Sequence, residues 1–316
     1  MKIVITDGYT LNPGDLDWNV FNQLGEVQYY DRTPAALIGE RCSDADIIIT
    51  NKTPISGDVI NSASNLKAIA VSATGFNIVD AATAKSKKIP VCNVPVYGTD
   101  SVAQHAFALL LELTNHVGQN SRSVSQGEWS TSQDWCYSKA PIMELCQKTM
   151  GIIGYGRIGR QTAKIAEAFG MTVIHYNKSI PFGIIGNVTL ENLFTESDVI
   201  SIHCPLKPDN EGFVDKKLLS LMKPTAFLIN TSRGQLINEQ DLAEALSAGK
   251  LAGAALDVLS VEPPPKDHPL INLPNCIITP HNAWLSFEAR KRLMHVTFEN
   301  VAAIIKGKPQ NVVNDL

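Results

Sequence analysis

Short apolar runs separated by polar, helix-compatible stretches recur along the first hundred residues. Ile3–Thr6, Val27–Tyr30, Asp46–Ile49, Ala68–Val71 and Pro90–Cys92 predict strands, and helices are expected near Leu16–Leu24, Pro34–Gly39, Ser56–Ser62 and Val79–Lys87. Runs that are apolar throughout, rather than alternating, suit strands buried on both faces. Their alternation with helices predicts a parallel sheet covered on both sides. From Ser101 to Ser125 the period changes, and Val102, Ala106, Leu109, Leu110 and Leu113 fall on one face of a single long helix. Gly127–Lys148 is polar, aromatic and irregular, an excursion between structural units. A second alternation follows, with strands at Thr149–Ile153, Thr172–Tyr176, Asp198–His203, Ala226–Asn230, Ala252–Asp257 and Cys276–Thr279. Helices centred near Ile165, Leu218 and Leu242 connect them, and a last helix runs from Ser286 to Lys306.

Two such alternations define an α/β chain, and 316 residues exceed one typical domain. The expected division is discontinuous: residues 1–100 with 286–316 form one domain, and residues 101–285 are inserted as a second. A terminal helix packed on the inserted domain is the alternative. No solenoid-period repeat interrupts this plan.

Composition narrows the class of protein. Hydrophobic residues make up 44% and charged residues 18%, as in a globular protein with a full core. A formal charge of −4, with no Lys/Arg run, gives no electrostatic reason to expect nucleic acid. The opening Met1–Gly8 is too short in its apolar part for a signal peptide or membrane span. Cys42, Cys92, Cys136, Cys146, Cys204 and Cys276 form neither a Cys-x-x-Cys pair nor a zinc spacing. No metal is expected, several of the thiols sit in apolar stretches and read as buried, and the cytoplasm is the expected compartment.

Candidate chemistry begins at Gly154-Tyr155-Gly156-Arg157-Ile158-Gly159. A lone Gly-x-Gly-x-x-Gly is weak evidence, but a strand enters this one and an amphipathic helix, Ile158–Phe169, leaves it. Gly154 permits the tight bend, Gly156 lets backbone approach a pyrophosphate, and Gly159 lets the helix pack on the strand. The N–H groups of Arg157, Ile158 and Gly159 would then face the phosphates. At the end of the next strand, 23 positions past Gly154, an acidic residue usually holds the adenosine ribose; here it is Asn177. An amide can bond a ribose hydroxyl without repelling a 2′-phosphate. Lys178 either attracts such a phosphate or points into solvent.

Three further residues suit reduction of a carbonyl beside a carboxylate. Arg233 follows a strand, where open α/β sheets bind ligands, and its fork matches a carboxylate. His281 follows Ile277-Ile278-Thr279-Pro280 and is a natural proton donor near neutral pH. Glu262 is a carboxylate able to orient that ring and stabilise its charged form. His105, His116, His175, His203, His268 and His295 read as structural.

With these segments, and with Ser101-Val102-Ala103-Gln104-His105 and His203-Cys204-Pro205-Leu206, the chain resembles the D-isomer-specific 2-hydroxyacid dehydrogenase family over nearly its whole length. The resemblance implies two Rossmann-like domains, a flavodoxin-like substrate domain and an NAD(P)-binding doubly wound sheet, with the active-site cleft between them. It implies that Arg233, Glu262 and His281 are catalytic and that Thr74 and Gly75, with Asn51 and Arg233, hold the substrate. It also implies that Cys204 and Pro205 flank adenine, that Asp257 lies near the nicotinamide carboxamide, and that Thr231 and His281 border the cofactor. A homodimer through the nucleotide domain is expected, with Trp135 either at that interface or anchoring its own loop.

Asn177 departs from the family's usual acid, so NAD is expected with NADP as a second cofactor. Gln104 stands where Glu is common, with no clear chemical consequence. His281-Asn282-Ala283-Trp284 and Asn51-Lys52-Thr53-Pro54 look most like the glycerate dehydrogenase, or hydroxypyruvate reductase, branch. Hydroxypyruvate is the first expected substrate and glyoxylate the second, with D-lactate and phosphoglycerate as alternatives. A chain of this length has little room for the extra regulatory domain of many phosphoglycerate enzymes. The alternative of a different class is a nucleotide-sensing, corepressor-like scaffold.

Overall fold

The computed structural model describes residues 1–181, 183–184 and 186–316. The chain divides into two compact units, Met1–Gly98 with Leu285–Leu316, and Thr99–Trp284. In the first unit the elements run β1 (Lys2–Ile5), α1 (Gly8–Leu11), β2 (Glu26–Tyr29), α2 (Ile38–Cys42), β3 (Ile47–Thr50), α3 (Gly57–Ser62), β4 (Ala68–Val71), α4 (Ala81–Ser86) and β5 (Val91–Cys92). All five strands are parallel, in the order β2-β1-β3-β4-β5, so the winding reverses between β1 and β3. Val4, Ile48, Ile69 and Val71 form a core with Ile55, Ile60 and Val91.

The stretch expected to be helical near Leu16–Leu24 is a tighter 3₁₀ helix, Trp18–Gln23, capped where Asp17 accepts from Asn19 N at 2.8 Å. Three residues per turn bring Trp18 and Phe21 to the same side, with ring centroids 5.2 Å apart. An α-turn would have left that pair less well eclipsed.

The second unit opens with α5 (Thr99–Asn115) and α6 (Val117–Ser125), which replace the single long helix expected from periodicity. His116 between them is left-handed, with φ of 51°. The Glu112 carboxylate accepts Gly118 N at 3.0 Å, and this side-chain cap starts a new helix where the old one ends.

Then follow β6 (Thr149–Ile153), α7 (Arg157–Ala168), β7 (Thr172–Tyr176), α8 (Leu190–Glu196), β8 (Val199–Ile202), α9 (Lys216–Leu219), β9 (Phe227–Asn230), α10 (Glu239–Ser247), β10 (Gly253–Leu256) and β11 (Cys276–Ile278). The six strands are parallel in the order β11-β10-β9-β8-β6-β7. Successive side chains on β6 serve opposite faces. Ile152 joins Leu110, Leu113, Ala163 and Ala166, whereas Ile153 joins Leu193, Phe194, Leu218 and Leu242. This two-sided burial is the reason the strands read as apolar throughout.

The last helix, α11 (Phe287–Ile305), belongs to the first unit and packs on β4. Its buried polar groups find specific partners there. Thr297 meets the Ser72 hydroxyl at 3.2 Å, Asn300 donates to Asn93 O at 2.8 Å, and Arg290 forms a bidentate pair with Asp15, both contacts at 2.6 Å. Among the described residues no helix is long and apolar enough to cross a membrane. No group of three or more His, Cys, Asp or Glu among them could hold a metal ion.

Candidate active site

The glycine turn forms where the strand order changes direction, at the carboxyl end of β6 between β7 and β8. Gly154 has φ of 95°, and a Cβ there would lie 2.5 Å from Cys204 N, so any side chain would drive the ends of β6 and β8 apart. The turn leads into α7, whose N-cap is Gly156 and has no side-chain cap bond. In the same unit α8, α9 and α10 are capped by Thr189, Asp215 and Asn238. The first N–H groups of α7 at Arg157, Ile158 and Gly159 thus suit a phosphate, with the helix dipole favouring negative charge.

Other polar atoms at the same end of the sheet fit a dinucleotide. Thr231 Oγ1 after β9, His203 Nδ1 after β8 and Asn282 Oδ1 after β11 are buried without a hydrogen-bond partner in the protein. Burying a polar atom unpaired is costly, so a ligand that satisfies these groups would bind favourably. Burial holds the Cys204 thiol up at about 11 and pushes His203 down to about 4, so Cys204 stays a thiol and His203 an uncharged ring near neutral pH.

Beyond β7, Asn177 is already engaged in its own turn. Its Oδ1 accepts Ser179 N at 2.9 Å, and its N–H donates to Asn187 Oδ1 at 2.8 Å. Lys178 is exposed, and its ammonium pairs with Asp209 at 2.9 Å.

His281 and Glu262 come together although 19 residues separate them. His281 Nδ1 lies 2.6 Å from Glu262 Oε2, and Glu262 Oε1 accepts Leu259 N at 3.0 Å. With Glu262 ionised, Nδ1 carries the donated proton, which leaves Nε2 to face a reactant. His281 takes a left-handed backbone, φ 52°, and donates its N–H to Asp257 O at 2.8 Å. The buried Asp257 carboxylate grips the following turn, accepting Asn282 N and Ala283 N, each at 2.9 Å, and the Thr279 hydroxyl at 2.6 Å. Position 281 is therefore fixed from both sides.

Arg233 follows β9 and donates from Nη1 to Ser232 O at 2.7 Å, while Asn230 Nδ2 holds the Arg233 carbonyl at 2.8 Å. The next residue couples this loop to the Glu262 segment. A Cβ on Gly234 would lie 1.9 Å from the Leu259 carbonyl carbon, a contact only glycine allows. Gln235 adds a bond to Ser260 O at 2.9 Å.

In the first unit Asn51 and Thr74 follow β3 and β4, at the carboxyl edge of that sheet. Thr74 Oγ1 donates to Val94 O at 2.7 Å, and Asn93 Nδ2 holds the Thr74 carbonyl at 2.7 Å, which fixes the loop that continues to Gly75. Asn51 donates from its side chain to Ser72 O, and its Oδ1 is buried without a protein partner.

Several residues that matter here carry no local signal. Asp7, at the end of β1, accepts Asn51 N at 2.9 Å and Thr53 N at 2.8 Å and so shapes the Asn51 loop. His105 on α5 reaches Thr279 Oγ1 at 3.1 Å and joins the Asp257 network. Glu239 accepts Ser260 N at 2.7 Å and contacts His268 Nε2 at 3.1 Å, bracing the segment that carries Glu262. An acid just after the first strand was the one available hint, for Asp7.

A six-stranded parallel sheet with a dinucleotide turn, and a carboxylate-held histidine beyond its last strand, is the framework of a nicotinamide-dependent oxidoreductase. The family described as D-isomer specific 2-hydroxyacid dehydrogenase, NAD binding domain, matches residues 107–283. A hydroxypyruvate reductase of Blautia hydrogenotrophica is 50% identical over 99% of this chain and 100% of its own length. A glycerate dehydrogenase of Methylorubrum extorquens is 40% identical, covering 99% of this chain and 98% of that protein. The solved structure of an acyclic imino acid reductase with NADPH and D-Arg is 37% identical, with a TM-score of 0.87 over 99% of this chain and 100% of that one. The chain belongs to the D-isomer-specific 2-hydroxyacid dehydrogenase family. It is an enzyme, an NAD(P)-dependent oxidoreductase that interconverts a 2-oxo acid and a D-2-hydroxy acid.

Proposed function

We propose that the enzyme reduces hydroxypyruvate to D-glycerate, with glyoxylate as a second substrate. The hydroxypyruvate reductase and glycerate dehydrogenase relatives support the first substrate, relatives named glyoxylate reductase support the second, and the residues after the strands suit the chemistry. The observation that carries the mechanism is the 2.6 Å pair between His281 and Glu262. When bound, the nicotinamide cofactor supplies the hydride that reaches the substrate's carbonyl carbon. His281 donates its Nε2 proton to the carbonyl oxygen, and the imidazole is recharged from solvent. Glu262 stabilises the imidazolium before that transfer and keeps the ring's tautomer fixed. Arg233 is assigned to the substrate carboxylate, with the N–H groups of Thr74 and Gly75 and the Asn51 side chain as further contacts. Positive charge near the developing alkoxide lowers the barrier most when it is already in place.

The cofactor is assigned to Gly154, Gly156, Arg157, Ile158 and Gly159 at the pyrophosphate and to Asn177 and Lys178 at the ribose. Cys204 and Pro205 are assigned to adenine, with Thr231, Asp257 and His281 toward the nicotinamide. A homodimer through the nucleotide-binding unit, in the cytoplasm, completes the proposal. Initial rates with hydroxypyruvate, glyoxylate, pyruvate and 3-phosphohydroxypyruvate, each with NADH, test it. Hydroxypyruvate should give the highest kcat/KM and yield the D product. Preference for pyruvate, or an L product, would overturn the substrate assignment.

A further inference from the structure

The ion pair between Lys178 and Asp209 bears on cofactor choice. Lys178 follows β7 and Asp209 lies in the loop after β8, and the sheet order places β6 between those strands. The strands flanking β6 are about 10 Å apart, twice the usual strand spacing. The pair therefore spans the carboxyl end of β6, the strand that opens into the glycine turn. Both side chains remain exposed, at 63% and 64%, so the contact is screened by water and opens easily.

The two ends of the bridge differ in how they are held. Lys207 N donates to Asn210 Oδ1 at 2.7 Å and Asn210 Nδ2 to Pro205 O at 2.9 Å, so Asp209 sits within a braced turn. Lys178 follows Asn177, whose side-chain Oδ1 accepts Ser179 N and whose position carries no negative charge. We propose that Asp209 is a specificity-determining residue: it supplies from the β8 loop the negative charge missing at position 177, and it sequesters Lys178 from an adenosine 2′-phosphate. The proposal rests on the assignment of Asn177 and Lys178 to the adenosine ribose. NADH leaves the bridge closed. The 2′-phosphate of NADPH would have to displace one carboxylate and remain beside it.

Binding to the free enzyme, followed by titration calorimetry with NADH and with NADPH, isolates this step from turnover. Asp209→Asn should tighten NADPH by about 5- to 10-fold, the scale of one charge-assisted contact, and change NADH by less than about 2-fold. Adding Lys178→Ala to Asp209→Asn should remove most of the gain, leaving only the part due to loss of Asp209's own charge, and raising the salt concentration should shrink it. Glu211→Gln, an exposed acid two positions further on, serves as the control and should leave both affinities unchanged. Persistence of the full NADPH gain without Lys178 would overturn the sequestration. If Asp209→Asn changes nothing while Asn177→Asp weakens NADPH, Asp209 is not the selector and the ribose assignment stands. If neither substitution alters NADPH binding, the ribose assignment itself fails.

Discussion

His281 is held through its ring by the Glu262 carboxylate and through its backbone N–H by the Asp257 main-chain carbonyl, and the ring contact can be tested by itself. His281→Ala should lower kcat by about 10²–10⁴-fold, as for loss of a general acid–base, while NADH binding measured by fluorescence titration persists. Near-native turnover in a folded variant would remove His281 from the mechanism. Glu262→Gln keeps the shape of the 2.6 Å contact but not its charge, so the imidazolium loses a stabilising partner. Turnover of hydroxypyruvate should therefore fall by about 10-fold or more while NADH binding holds, and an unchanged kcat would count against the pairing.

His203 predicts a stability effect of opposite origin. Burial lowers it from 6.5 to about 4, so between those values the unfolded chain binds a proton that the native fold refuses. Stability from this site is complete above 6.5 and is lost as the pH falls toward 4. At pH 5 the loss should reach about 1–2 kcal/mol. Urea denaturation at pH 7 and pH 5 would reveal it, and His203→Gln should narrow the gap between the two.

At the scale of elements, the candidate site is arranged by loops that touch rather than by the strands themselves. The Arg233 loop and the Glu262 segment meet at Gly234, where even a methyl group would overlap the Leu259 backbone. Gly234→Ala should cost about 2 kcal/mol of stability through forced backbone displacement. It should also lower kcat/KM by about 10-fold or more, because both catalytic side chains ride on the displaced segments. Denaturation and steady-state kinetics on one preparation would check both. An unaltered kcat/KM would show that the two loops are positioned independently. The α5–α6 break has a comparable cause: Glu112 caps the Gly118 N–H and commits the chain to a new helix axis. Helical periodicity reports which face is apolar and is blind to a change of axis, which is why one long helix was expected there.

For the whole molecule, the least buried large apolar side chain among those described is Trp135, 95% exposed, with Trp129 and Ile142 also exposed in the excursion before β6. A tryptophan so placed is no anchor for its own loop, and exposed aromatics of this kind suit an interface. In the proposed homodimer Trp135→Ala should weaken association by about 10-fold or more, as read by sedimentation across a dilution series. A native protein that sediments as a monomer with full activity would dismiss that role.

The chain's own pattern was enough for the strands and the glycine turn, and it singled out Arg233, Glu262 and His281 as the residues to test. Burial on both faces writes itself into each strand as a continuous apolar run, and the candidate side chains follow where those runs stop. Tertiary structure decided what depends on strand order. Asp209 reaches Lys178 because β8 and β7 flank β6, and His105 reaches Thr279 because α5 packs on the sheet that ends at β11. Such contacts join residues far apart in sequence through the order in which strands assemble, and no local period encodes that order.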